Sequence, residues 1–426
     1  MMGPMKNFFL FLIGLILSFA GNAQSCLPEG IVFSTQSEID SFKSKYPNCY
    51  RIEGSVTIIG DGPVNLLGLY GIFLIEGGLY IHQTSRLTDL AGLNGLSGVG
   101  GNLLIKQNSL LNSITALAGM HNIGGILTIE DNPSLVSLTG FDLLIAVKGG
   151  HIKIHNNPAL TNLTGFEQLT SLRDYLSISN DTGLTSLTGL NNLNSVGRLD
   201  IVECPNLRSL NGLENLKSIT NELNIAYTKL SNFSGLDNLH QIDNAFSVSN
   251  NDELTSLIGI DKLTDIGDTL TIVGNNRLAG LNGIDKLNAA SLSYVKIGYN
   301  DSLSACAVKS ICDYLASPNG TFEIHDNAIG CNSQAEVDSI CKILSVEDLT
   351  INGRLSVFPN PTSTSITIET NTRGTLSIFN LNGQQLLQQQ ITETNTTIDV
   401  CEFNSGVYFV QLTSNKSVQV GKFIKQ

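Results

Sequence analysis

The sequence predicts a mainly β protein: a parallel β-helical solenoid of about twelve coils, followed by a small C-terminal β-sandwich. Three observations lead there. One aliphatic column, Ile58, Ile81, Ile105, Ile129, Ile154, Ile178, Ile201, Ile225, Val248, Ile272, Ile297 and Ile324, recurs every 23 to 27 residues, the period of stacked solenoid coils. A second apolar column lies two residues earlier, from Val56 and Leu79 to Val295 and Phe322. Apolar-x-apolar is the pattern of a short strand with one buried face. Beyond residue 355 the spacing changes to alternating runs split by Asn-Pro and Asn-Gly turns, the pattern of a small antiparallel fold.

Each coil continues in the same way. Six residues after the first column stands a Leu, as at Leu111, Leu135 and Leu184, and then L-x-G-L-x-x-L, as in Leu187-Thr188-Gly189-Leu190-Asn191-Asn192-Leu193. The Gly permits a tight bend with positive φ. A lone coil cannot bury this much Leu, so each depends on its neighbours. Three residues after the first column lies a polar one: Asn108, Asn132, Asn157, Asn251, Asn275, Asn300 and Asn327, with Cys204, Asp181, Thr84, Thr228 and Asp61 in other coils. Stacked, these side chains are expected to form a structural ladder that hydrogen-bonds the turn backbone. Leaving a buried backbone group unpaired there costs about 1–3 kcal/mol. Cys204 suits the same slot as a buried structural thiol.

The full motif, L-x-I-x-x-N-x-x-L-x-x-L-x-G-L-x-x-L-x-x-I, runs from Leu199 to Ile219 with Cys204 in the Asn slot. It resembles the receptor L-domain pattern, a relative of the leucine-rich repeat. Over residues 51–330 the resemblance implies a right-handed parallel β-helix. It implies little about function, because repeat scaffolds carry many unrelated binding roles.

The start of the chain reads as an export signal over residues 1–23, with Lys6, an apolar run from Phe8 to Phe19 and the small-x-small site Gly21-Asn22-Ala23. The run is too short for a transmembrane anchor, so no membrane-spanning segment is expected in the mature protein. Ala23-Gln24-Ser25 before Cys26 fits lipoprotein processing poorly. Export permits disulfides. Residues 24–50 are expected to cap the first coil: Thr35 and Glu38 form a capping box, Ile39 and Phe42 give an apolar helix face, and Cys26 with Cys49 forms a staple. Cys306, Cys312, Cys331 and Cys341 mark a second cap over 303–345, overlapping the last coils, with short helices at 307–316 and 334–344. Their three possible pairings stay open. A zinc site is the alternative for these four, disfavoured by the exported context and the lack of a C-x-x-C spacing.

Residues 346–354 read as a linker. Then come Phe358-Pro359-Asn360-Pro361, Ser377-Ile378-Phe379-Asn380-Leu381-Asn382-Gly383-Gln384, Gly406-Val407-Tyr408-Phe409-Val410-Gln411-Leu412 and the basic-aromatic end Gly421-Lys422-Phe423-Ile424-Lys425-Gln426. On alternation alone a carbohydrate-binding module fits as well. The motifs resemble the type A C-terminal sorting domain of the type IX secretion system of Bacteroidota, over 355–426. That resemblance implies the outer-membrane translocon as partner and a secreted or cell-surface location. The tail would be cut off, and the mature protein released or attached to lipopolysaccharide. Cys401 is not explained by this pattern.

The net charge of −13, with no basic cluster to meet phosphates, argues against nucleic acid. Catalysis needs acids, bases or nucleophiles converging within hydrogen-bond reach. Glu130, Lys153 and His155 form the densest ionisable cluster on the outward sheet face, and Tyr80 with His82 a weaker one. The other carboxylates of that face, Asp131, Asp200, Glu203, Glu323 and Asp326, are spread along the coils, and no phosphate loop or H-E-x-x-H occurs. The expectation is a non-enzymatic protein, without cofactor or metal, that binds an extracellular protein or glycan through the sheet face. Glu130, Lys153, His155, Asp200 and Tyr227 are the contact candidates. A polysaccharide-active β-helix enzyme and a passive surface spacer are the alternatives.

Overall fold

The computed structural model describes residues 25–318, 320–345, 351–381, 383–414 and 418–426. The export signal expected at 1–23 lies outside the described residues. The chain divides into two compact units at Asp338/Ser339.

In the first unit thirteen parallel strands follow one another along one sheet, from Ile31–Thr35 to Thr321–His325. The aliphatic column stacks in register: Ile58 pairs with Ile81, Ile81 with Ile105, and so on to Ile297 with Ile324. All its members are buried, as are those of the column two residues earlier except the half-buried Phe322. Parallel pairing follows from the repeat itself, since each strand must return to the same corner before the next begins. A second ladder of two-residue strands, such as Leu74–Ile75, Gly98–Val99 and Asn122–Ile123, runs along another side of the coils. In Ser171–Ser179 and Ser195–Val202 the two strands of a coil fuse into one.

The corners explain the polar columns. Two residues after each buried Ile the backbone is left-handed, with φ of 58° at Asp131, 54° at Asn156, 55° at Glu203 and 55° at Tyr227. In the L-x-G-L turns, Gly92, Gly140, Gly165, Gly189, Gly212, Gly235, Gly259 and Gly283 all have φ between 107° and 127°. A Cβ on Gly189 would also lie 2.0 Å from the Leu163 carbonyl of the preceding coil. Only Gly satisfies both constraints. Where Ala116 takes the Gly place, the chain instead makes a 3₁₀ turn, Thr115–Leu117.

The buried ladder threads the interior. Each Asn donates Nδ2 to the carbonyl of the preceding coil, Asn108 to Ile81 and Asn157 to Ile129, at 3.0 and 3.1 Å. Its Oδ1 accepts from the ladder residue one coil earlier, as Asn132 does from Asn108. Asn251, Asn275, Asn300 and Asn327 repeat the pattern. Thr84 and Thr228 donate into it from the side of the earlier coil. The Cys204 thiol takes the slot 3.6 Å from the Val202 carbonyl, and burial pushes its pKa up to about 12, so it stays a neutral thiol. Asp61 does not belong to the ladder. Its strand, Val56–Gly62, runs through that position and leaves Asp61 exposed.

Both ends are capped. Ile31–Thr35, assigned to the cap by sequence, is itself the first strand of the sheet and pairs Phe33 with Ile58. It escaped the pattern because a helix, not a Leu turn, follows it. That helix, α1 (Gln36–Lys45), has the Thr35/Glu38 capping box and buries Ile39 and Phe42. Cys26 and Cys49 form a disulfide beside it. At the far end stand α2 (Lys309–Ala316) and α3 (Gln334–Ser345). Cys306 pairs with Cys331, and Cys312 and Cys341 are half-cystines too. None of the four then offers a thiolate to a metal.

In the second unit a five-stranded sheet, Ile351–Arg354, Val418–Lys425, Gly406–Thr413, Gly374–Phe379 and Gln385–Ile391 in that spatial order, joins a three-stranded sheet of Ser356–Phe358, Ser365–Glu369 and Asn395–Asp399. Ile366, Ile368 and Ile398 from one sheet meet Leu376, Ile378, Val410 and Phe423 from the other in one core. Ile351–Arg354, read above as linker, pairs with Val418–Lys425 and is part of this domain. Residues 346–350 lie outside the described residues. Cys401 is an exposed free thiol, and nothing in the structure explains it.

Candidate functional site

Along each strand of the solenoid alternate side chains face outward, and parallel register stacks them coil upon coil. Two groups of titratable residues on this face have a largely buried carboxylate at their centre.

The first centres on Glu130. Lys106 and Lys153, one coil to either side, donate to its two carboxylate oxygens at 3.2 and 3.1 Å. Burial opposes the charge on Glu130, but the hydrogen bonds and charges of Lys153 and Lys106 outweigh it and hold the carboxyl below the usual carboxylate range. His155 Nδ1 lies 2.8 Å from Ser179 Oγ. Glu130, Asp131 and His155 bring ligand-type atoms within 4.8 Å of one another. Both oxygens of Glu130 already meet ammonium groups, and Asp131 Oδ1 accepts from Asn156 Nδ2 at 2.7 Å. The donor set is thus compensated internally, and a cation would have to displace two lysines.

The second group lies three coils further on, around Asp200. This carboxylate is buried. It accepts from Tyr175 Oη at 2.7 Å and, through both oxygens, from Arg198 Nε at 3.0 Å. Arg198 also reaches Glu222 at 2.9 Å. Its guanidinium stands 5.7 Å from the centre of the Tyr175 ring, and the His151 ring meets Tyr175 edge-on at 6.0 Å. Burial raises the Tyr175 phenol, and the neighbouring Asp200 carboxylate adds to the shift. For Arg198 burial pulls down, but Asp200 and then Glu222 more than reverse it. Beside this network opens a depression of about 570 Å³, lined among others by His151, Arg173, Asp174, Tyr175, Arg198 and Asn221.

The backbone builds the depression. Between Leu172 and Tyr175 the register slips, so that Arg173 and Asp174 stand opposite the single residue Gly197. This is a β-bulge, a device that re-aims side chains. The amides of Asp174 and Tyr175 both point to the Gly150 carbonyl, at 3.3 and 2.9 Å. A Cβ on Gly197 would fall 2.2 Å from the Asp174 carbonyl and 2.3 Å from that of Arg173.

Of the five contact candidates, Glu130, Lys153 and His155 are thus neighbours, Asp200 belongs to the second group, and Tyr227 joins neither. It stands at a left-handed corner, 53% exposed. Tyr80 folds back over Gly78, where a Cβ would lie 2.4 Å from its hydroxyl. The residues that sequence reasoning missed are His151, Tyr175, Arg198 and Glu222. They face outward by alternation, one step further along the strand than the columns considered. The bulge left a trace as well. Val196 precedes Ile201 by five residues, where Leu172 precedes Ile178 by six and Val147 precedes Ile154 by seven.

Residues 356–426 match the family model of the secretion system C-terminal sorting domain. No curated protein matches the chain. The sorting domain marks a protein that type IX secretion carries to the cell surface or the extracellular space. Among the described residues no helix is long and apolar enough to cross a membrane.

Proposed function

We propose that this is a non-enzymatic surface or secreted protein that holds an extracellular ligand on the outward face of its solenoid sheet. The sorting domain brings the solenoid outside, and an L-domain-like coil stack would present that face as a rigid platform, with an N-terminal signal serving the first step of export. The observation that carries the reading is the second group of residues: a buried carboxylate locks Tyr175 and Arg198 at the margin of a polar depression. Ligand sites are concave, with a few polar groups held in place by their neighbours. The Glu130 cluster closes on itself through its two lysines.

Tested on the full mature chain, glycan and protein-ligand arrays should give specific binding, and a screen on acidic polysaccharides should give no turnover. Turnover would replace this reading with that of a β-helix enzyme. Silence in both assays would leave a passive spacer.

A further inference from the structure

We propose that the depression at the Arg173–Asp174 bulge binds an uncharged saccharide, held by hydroxyl hydrogen bonds to Arg173, Asp174 and Asn221 and by contact with the Tyr175 ring. The proposal rests on the ligand-binding reading of the sheet face and names the class of ligand.

Charge comes first. Arg198 is met by Asp200 and Glu222, and Arg173 shares the lining with Asp174. Two guanidinium groups against three carboxylates leave no net positive charge to favour an anion, and the acids do not converge on one point to favour a metal. The exposed lining mixes a guanidinium, a carboxylate and a carboxamide. A sugar hydroxyl both donates and accepts, so vicinal hydroxyls match such a mixture. Hydrogen bonds to the charged members are worth about 1.5–3 kcal/mol each.

Shape and topology narrow the occupant. Tyr175–Ser179 and Ser195–Val202 pair on both sides, and only Ser171 and Leu172 pair on one side alone. Two residues are too short an edge for strand addition by a peptide. Tyr175 and His151 are the only aromatic groups of the lining, too little apolar surface to anchor a protein side chain. A volume of about 570 Å³ lies within the range of about 300–1,000 Å³ common for small-ligand sites. The site is preformed, since Gly197 and Gly150 let the bulge approach its neighbours. A Cβ on Gly150 would lie 2.3 Å from Asp174 Oδ2. Binding then orders little of the protein.

The test is calorimetric titration of the full mature chain with neutral gluco-, manno-, galacto- and xylo-oligosaccharides, and with oligouronates of equal length. At least one neutral series should bind saturably, and more tightly than any oligouronate. Asp174→Ala and, separately, Arg173→Ala should weaken that binding about tenfold or more, the loss of one charge-assisted hydrogen bond. Both positions are exposed, and unchanged thermal unfolding verifies that each variant folds. Absence of saturable neutral binding, preference for oligouronates, or unaltered affinity in both variants overturns the proposal. Protein binding on the sheet face with no saccharide binding would overturn this inference alone. Binding followed by cleavage of a neutral chain would overturn the non-enzymatic reading and leave this one standing.

Discussion

Asn157 and Asp181 are consecutive members of the buried ladder, and the difference between them is one amide. Asn157 donates to the Ile129 carbonyl and accepts from the backbone and side chain of Asn132. Asn157→Ala strands these partners, and a loss of about 3 kcal/mol in denaturant unfolding is expected. Asp181 accepts from Asn157 through Oδ1, but its buried Oδ2 has no partner. An Asn there would aim its amide at a carbonyl; an ionised Asp cannot. Burial, only partly offset by the hydrogen bonds from Asn157, raises the Asp181 pKa to about 7. The folded state therefore holds this proton more tightly than the unfolded chain does. Stability is greatest below the unfolded value near 3.8 and falls as pH rises towards 7. The deficit above pH 7 is on the order of 4 kcal/mol. Asp181→Asn is expected to raise Tm at pH 8 and to flatten the fall in Tm between pH 5 and 8. A Tm at pH 8 equal to that of the parent would contradict this account.

At the scale of the element, turns and caps hold the coils at a fixed spacing. Gly189→Ala would place a methyl against the Leu163 carbonyl at a φ of 116°. The expected loss is about 2 kcal/mol or more, read from thermal unfolding. The N-terminal cap is held by the buried face of α1, by Lys43 Nζ lying 4.4 Å from the Tyr50 ring centre, and by Cys26–Cys49. The disulfide closes a separation of 23 residues. Replacing both cysteines by Ser is expected to cost about 3 kcal/mol. Hydrogen exchange should show that loss first in residues 25–62, because coils unfold from an uncapped end. The bulge is an element-scale feature too: two neighbouring strands must differ in length before Arg173 and Asp174 can share one opposing residue.

Taken whole, the molecule joins a parallel β-solenoid to an address. The match over residues 356–426 assigns the address. Deleting 356–426 is expected to keep the protein inside the cell envelope, as fractionation and surface proteolysis would show. A truncated chain that still reached the surface would count against it. Within the solenoid unit each coil buries its Leu and Ile only against its neighbours, so damage at one coil should propagate along the stack.

The coil count, the buried columns, the Gly turns, the ladder and the helix cap could all be read from the sequence. Each follows from local spacing repeated many times, and repetition averages away ambiguity at any one position. Ile31–Thr35 was missed because a helix follows it, and Asp61 was misplaced because its strand runs on through the turn. The Glu130–Lys153–His155 cluster was legible because its members sit in adjacent columns. The Asp200 network was not, since it joins Tyr175, Arg198 and Glu222 diagonally across three coils. Which side chains converge there depends on a one-residue slip between two strands, and only their pairing in space defines it. Periodicity is a property of the chain taken one coil at a time, whereas the Asp200 network and its depression arise where coils depart from it together.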